Sequence, residues 1–147
     1  MTPEYELCVS SSMENLALIS DFVTSLAGRL HLDDDQTFAL QMAVDEACAN
    51  VMEHAYAGKN DGTIRICCHA DQDEVVVTIH DRGKPFDPQS VPRPDEAAPL
   101  HERQNGALGL YLMEKLMDSV GFEFDPIHGN TLTMRKKIPR EKPTIHP

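Results

Sequence analysis

Residues 38–56, FALQMAVDEACANVMEHAY, pass nineteen positions without glycine or proline. Apolar Leu40, Val44, Ala47, Cys48, Val51 and Ala55 recur at spacings of three and four, which keeps them on one side of a helix at about 3.6 residues per turn. A helix with that side against a core is therefore predicted, and the remaining chain must supply the layer it packs on. The opposite side carries Glu46, Asn50 and Glu53, with His54 at its edge, and a step of four sets Glu46 and Asn50 one above the other. Small Ala43, Ala49 and Ala57 flank this polar stripe and would let a bulky ligand approach. On an amphipathic helix such a stripe is ordinarily a solvated face, so its meaning depends on the other segments.

Before this helix, residues 4–9 alternate Tyr5, Leu7 and Val9 and read as a first strand. Ser10, Ser11 and Ser12 offer a capping hydroxyl to an amphipathic helix over 13–30, with Leu16, Ile19, Phe22, Val23 and Leu26 as its apolar stripe. Asp33, Asp34 and Asp35 suit the positive end of the next helix dipole, and simple capping accounts for them. After Tyr56, turn residues lead to a hairpin of strands over 63–69 and 74–80, joined through Asp71, Gln72 and Asp73. From 84 to 105 the regular pattern stops, with five prolines and many charges. A structureless stretch of that length inside a domain is most often a functional lid or a disordered segment. We read it as a lid. A glycine-opened helix with Leu108, Tyr111, Leu112 and Leu116 at helical spacing follows, then a second hairpin of strands over 119–124 and 131–138. The reading predicts one domain over 1–138 containing the lid at 84–105, and a frayed tail over 139–147.

Composition excludes some functions. With 13 basic against 24 acidic residues the net charge is −11, which opposes any broad contact with a polyanion, so nucleic acid is not an expected partner. A small phosphate ligand held by backbone amides and a metal ion is not excluded, and a basic patch on a protein partner is favoured. No apolar run approaches the length needed to cross a bilayer, and no basic segment followed by an apolar one opens the chain, so neither membrane nor secretion is expected and the address is cytoplasmic. Cys8, Cys48, Cys67 and Cys68 show no metal-ligand spacing and are expected to be reduced, mostly buried thiols.

Three chemical signals occur in order. Asn50 offers a neutral oxygen to a hard cation that keeps most of its waters, and Glu46, one turn away, could take a proton from an attacking hydroxyl. Asp81, at a strand end, could accept hydrogen bonds from an exocyclic amine, while Gly83 would let backbone come near a flat ring. Taken alone, Asp81-Arg82-Gly83 is an ordinary turn. Gly106-Ala107-Leu108-Gly109 opens a helix whose free amides suit phosphates, although close packing or a tight turn explains such glycines equally well.

Together, VDEACANVMEHAY, HDRGKPFDP, NGALGLYLMEKLMD and GNTLTMRK resemble the asparagine box, two glycine boxes and closing threonine strand of the ATPase fold shared by gyrase, the heat-shock chaperone, histidine kinases and a mismatch-repair protein. The chain is most similar to the short, single-domain branch, the bacterial anti-sigma-factor serine/threonine kinases, over about residues 4–137. The resemblance implies an α+β, two-layer sandwich in which a mixed, mainly antiparallel sheet backs helices on one face. It also implies ATP and Mg2+ as cofactors, held between helices and lid. Glu46 would be the general base, Asn50 the magnesium ligand and Asp81 the adenine-recognising carboxylate. Gly83, Gly106 and Gly109 would shape the pocket, and Thr131 would support the adenine end. His54 and Asp45 match the pattern around the first box, though packing and solvation explain them as well. Arg103 is a lid charge within range of phosphates or simply solvated.

The implied partners are a sigma factor and an anti-anti-sigma protein, with a homodimer as a further assembly. Tyr5, Leu7 and the first helix could supply a partner surface, with core packing the default for such stripes. The acidic lid RPDEAAPLHERQ, and Asn105 where the family has a basic or glycine residue, depart from the family's pattern. They motivate the alternative of a nucleotide-sensitive protein-binding module without phosphotransfer.

Overall fold

The computed structural model describes residues 4–71, 73–87 and 107–138. Most of the expected lid, including Asn105 and Arg103, lies outside the described residues, as do Gly106 and the expected tail. Strand β1, Glu4–Ser10, leads through a 3-10 turn at Met13–Asn15 into α1, Leu16–Arg29, and then α2, Asp34–Asn50. Strands β2, Thr63–Ala70, and β3, Glu74–Asp81, form the first hairpin. Helix α3, Ala107–Leu116, precedes the second, β4, Ser119–Asp125, with β5, Gly129–Lys137.

The sheet order is β1-β2-β3-β5-β4 and all four pairings are antiparallel. The sequence reading allowed a mixed sheet. Alternation puts Val9, Ile64, Ile66, Cys68, Val75, Val77, Ile79, Leu132 and Met134 on one side, in a single core with Ile19, Val23, Leu26, Leu40, Val44, Met52 and Met113 from the helical layer. This is the expected α+β sandwich with helices on one face. Tyr5 and Leu7 pack against that core as partly buried residues. Lys136 follows Met134 on the inward side, and its ammonium donates to Leu116 O at 2.8 Å, placing a cation at the C-terminal end of α3.

Helix α2 begins earlier than its apolar periodicity suggests, because Asp33 builds a capping box. Asp33 Oδ1 accepts from Gln36 N at 2.7 Å, and Gln36 Oε1 accepts from Asp33 N at 3.0 Å, an arrangement contributing about 1 kcal/mol. Its end also differs. The expected continuous helix widens into a π-type turn at Val51–Ala55, where Tyr56 N donates to Val51 O at 3.0 Å. Ala55 O then receives Lys84 N at 2.8 Å, so the turn after β3 closes directly on the end of the helix.

The serine run does not cap a helix as expected. Ser11 is buried, donates to Lys59 O and accepts from Gly62 N at 3.0 Å, fastening the loop before β2. Tyr56 fastens the same region from the other side. Its hydroxyl donates to Thr63 O at 2.7 Å and accepts from Arg82 N at 2.9 Å, tying the end of the π turn to β2 and to the turn after β3. Tyr56→Phe removes both bonds and is expected to cost about 1 kcal/mol, because the site is partly solvated. Urea denaturation with an unchanged slope checks this.

Candidate functional site

Where the carboxyl end of β3 meets the end of α2, the chain leaves a cavity of about 580 Å³, within the ordinary range for small-ligand sites. Asn50, His54, Asp81, Lys84, Phe86 and Thr131 are among its lining residues. Phe86 and Phe122 form one wall, their rings tilted with centroids 5.1 Å apart. The elements that bring these side chains together are separated in sequence by whole strands, so only the sheet order places them side by side.

Asp81 is buried, and its Oδ1 accepts from Gly83 N at 2.9 Å and from the Asn130 amide at 2.8 Å. Two donors on one oxygen hold the carboxylate in a single orientation. Gly83 is needed for a closer reason than a ligand ring: a Cβ there would lie 2.4 Å from Ala55 O. The strand-end turn is therefore pressed onto the helix end. Across the ladder, Gly129 has φ +96°, and a Cβ there would meet Asp81 O at 2.5 Å.

Asn50, which also lines the cavity, meets α3. A Cβ on Gly109 would stand 2.9 Å from both Asn50 Nδ2 and Glu46 Oε2. The third residue of α3 thus lies directly over the acid and amide predicted to work together. This contact also sets the rotation of α3, which among its described side chains buries Leu110 and Met113, followed by Met117 just beyond its end. Leu112 and Leu116 of the expected stripe are only partly buried. Ala43, expected beside an open stripe, is fully buried in the core.

Glu46 lies beside the cavity rather than in its wall, half-buried one turn from Asn50. Burial, with Asp45 and Glu53 adding negative potential, raises its carboxyl above the ordinary glutamate value. Such a carboxyl holds a proton more readily than a free glutamate, which suits a group that accepts one. Gly109→Ala is expected to push the ends of both side chains aside and lower any reaction they support about 100-fold. Because those ends can swing away, the thermal midpoint should change little. Parallel melts and single-turnover rates separate the two effects.

Sequence reasoning brought Glu46, Asn50, Asp81 and Gly109 to this region, and Thr131 to its edge. Gly106 lies outside the described residues. Thr131 pairs with His80, so alternation sets it on the opposite side of the sheet from the Asp81 and Asn130 pair, although it lines the cavity. Asn130 was missed. The alternation that reads Leu132 and Met134 inward extends back to it and could have found it. Phe122 was assigned only to a strand face. Among the described residues no group of three or more His, Cys, Asp and Glu side chains could hold a metal ion. The four cysteines are free, with Cys48 and Cys68 buried, Cys67 half-buried and Cys8 exposed. No described helix is long and apolar enough to cross a membrane.

A cavity of this size, lined by the oxygen acceptors of Asp81 and Asn50 and with the first turn of a helix close to Asn50 and Glu46, suits a nucleotide-binding α+β domain. The model of the histidine kinase-like ATPase domain matches residues 9–136. Serine-protein kinase RsbW of Halalkalibacterium halodurans is 31% identical over 141 residues, covering 93% of this chain and 85% of the relative. RsbW of Bacillus licheniformis is 33% identical over 134 residues, covering 88% and 82%. A crystal structure of the RsbU and RsbW domains of a Mycobacterium tuberculosis protein superposes with a TM-score of 0.68 at 17% identity, over 94% of this chain and 34% of that one, and shows the shared fold. The chain belongs to the histidine kinase-like ATPase family, in its serine-protein kinase branch, and uses ATP.

Proposed function

We propose that the protein is a cytoplasmic anti-sigma factor that captures a sigma factor and phosphorylates a serine on an anti-anti-sigma partner. In this reading Asp81 accepts from the purine amine, Asn50 holds Mg2+, and Glu46 is the general base. Gly83, Gly106 and Gly109 shape the pocket, and Thr131 flanks the purine end beneath a lid over 84–105. The observation that carries it is the shared cavity of Asn50 and Asp81, with Gly109 closing α3 onto both Asn50 and Glu46.

The donor set fits magnesium. Asn50 supplies one neutral oxygen, and an ion that keeps several waters and binds phosphate oxygens needs few protein ligands. When bound, Mg2+ supplies neutralisation of phosphate charge. The protein's own part is to fix the purine at Asp81, orient Asn50 toward the phosphates, and leave Glu46 in reach of a serine hydroxyl. Positioning and electrostatics account for most of the acceleration in such transfers.

The net charge of −11 suits a partner surface with basic patches. Strand β1 stands at one edge of the sheet, which suits strand pairing in a homodimer. The test is incubation with γ-labelled ATP, magnesium and candidate anti-anti-sigma proteins. Label on a partner serine is expected. Partner binding that changes with ATP but leaves no phosphoserine would overturn the kinase part and favour a nucleotide-sensitive binding module.

A further inference from the structure

A second acceptor stands beside Asp81 at the purine end. Asn130 is paired with Asp81 in the β3 and β5 ladder, so both side chains rise from the same side of the sheet. Its amide nitrogen donates to Asp81 Oδ1 at 2.8 Å and to Gly83 O at 3.0 Å. Both of those partners only accept, so reversing the amide would set oxygen against oxygen. The orientation is therefore dictated, and Asn130 Oδ1 faces away from them. That oxygen is buried and has no hydrogen-bond partner among the described residues. A buried acceptor without a donor is costly and uncommon, and this one belongs to a residue lining the cavity. Both described bonds to the Asp81 carboxylate end on Oδ1, leaving Oδ2 for another donor.

We propose that Asn130 Oδ1 is a second acceptor for the purine's exocyclic amine, so that Asp81 and Asn130 each take one N–H of a primary 6-amino group. The inference rests on the nucleotide reading above and goes beyond it by making Asn130 a specificity-determining residue. A 6-keto purine presents an oxygen to two oxygens and is repelled. A secondary amine has a single N–H, so one buried acceptor is left unpaired while an alkyl group is forced against it. The site therefore demands an unsubstituted amine, which a single carboxylate would not.

The test is titration of the whole protein, with magnesium, against ATP, N6-methyl-ATP and ITP. The wild-type protein is expected to bind N6-methyl-ATP at least about ten-fold more weakly than ATP, the usual consequence of stranding one buried acceptor, and ITP more weakly still. Asn130→Ala should weaken ATP binding and bring N6-methyl-ATP level with ATP, because the acceptor is gone and the methyl group gains space, while ITP stays disfavoured through Asp81. If the wild-type protein binds N6-methyl-ATP as well as ATP but rejects ITP, the role of Asn130 is overturned and that of Asp81 stands. If ITP binds as well as ATP, the purine-end reading itself fails. Should Asn130→Ala not fold, the wild-type comparison still overturns the proposal if N6-methyl-ATP binds as well as ATP.

Discussion

Glu46→Gln is expected to lower phosphoryl transfer to the partner serine by roughly 10²- to 10⁴-fold, the range that removal of a general base ordinarily produces, with ATP binding retained. The amide keeps the shape of the side chain but cannot accept the proton. Glu46 stands outside the cavity wall, so the nucleotide should not feel the change. Wild-type transfer should also fall as pH drops through the carboxyl's raised pKa, a dependence the variant lacks. The stability effect has the opposite sign to that of a salt-bridged acid. Because burial first, then Asp45 and Glu53, raises the folded pKa, the ionised group opposes folding above that value, and the opposition is relieved as pH falls through it. The variant should therefore be at least as stable as the parent at neutral pH. Single-turnover rates across pH with γ-labelled ATP, alongside thermal melts, measure both. Undiminished labelling by the variant would move the base elsewhere.

Gly83→Ala is expected to act on the fold and the nucleotide together. The added Cβ would lie 2.4 Å from Ala55 O and 2.6 Å from its carbonyl carbon, and backbone cannot swing aside as a side-chain end can. Either the turn after β3 or the π turn must retreat, breaking the bond from Lys84 N to Ala55 O and disturbing the Gly83 N–H that orients Asp81. Overpacking of this kind costs about 1–3 kcal/mol or more, and in a domain of this length roughly 3 kcal/mol lowers the thermal midpoint by about 10 °C. ATP should bind much more weakly to whatever remains folded. An unchanged melt with unchanged ATP affinity would mean that this close approach does not exist in solution.

The contrast with Gly109→Ala shows why the two glycines were not equally legible. Both stand in motifs, and both were expected to shape a pocket. At Gly109 the neighbours are the ends of Glu46 and Asn50, so the glycine serves the acid and amide directly. At Gly83 the neighbour is Ala55 backbone, so the glycine serves the joint between strand end and helix end. Nothing in the local sequence distinguishes these environments, because each depends on which remote segment arrives at the position. Ser11 illustrates the same limit. A serine before a helix reads as a cap, yet its hydroxyl closes on Lys59 and Gly62, about fifty residues on. The 22-residue irregular stretch expected as a lid at 84–105 lies largely outside the described residues, so its role stays with the proposed function.

Sequence alone determined the strands, the three helices, the polar stripe of Glu46 and Asn50, and the association of Asp81 with a strand end. These follow from side-chain period and backbone preference, which act between near neighbours. Tertiary structure decided the widened turn at Val51–Ala55, the rotation of α3 about Gly109, and the choice of Asn130 rather than Thr131 as the partner of Asp81. Each of those is an outcome of register and close approach between distant segments, where a shift of one residue exchanges one side of the sheet for the other.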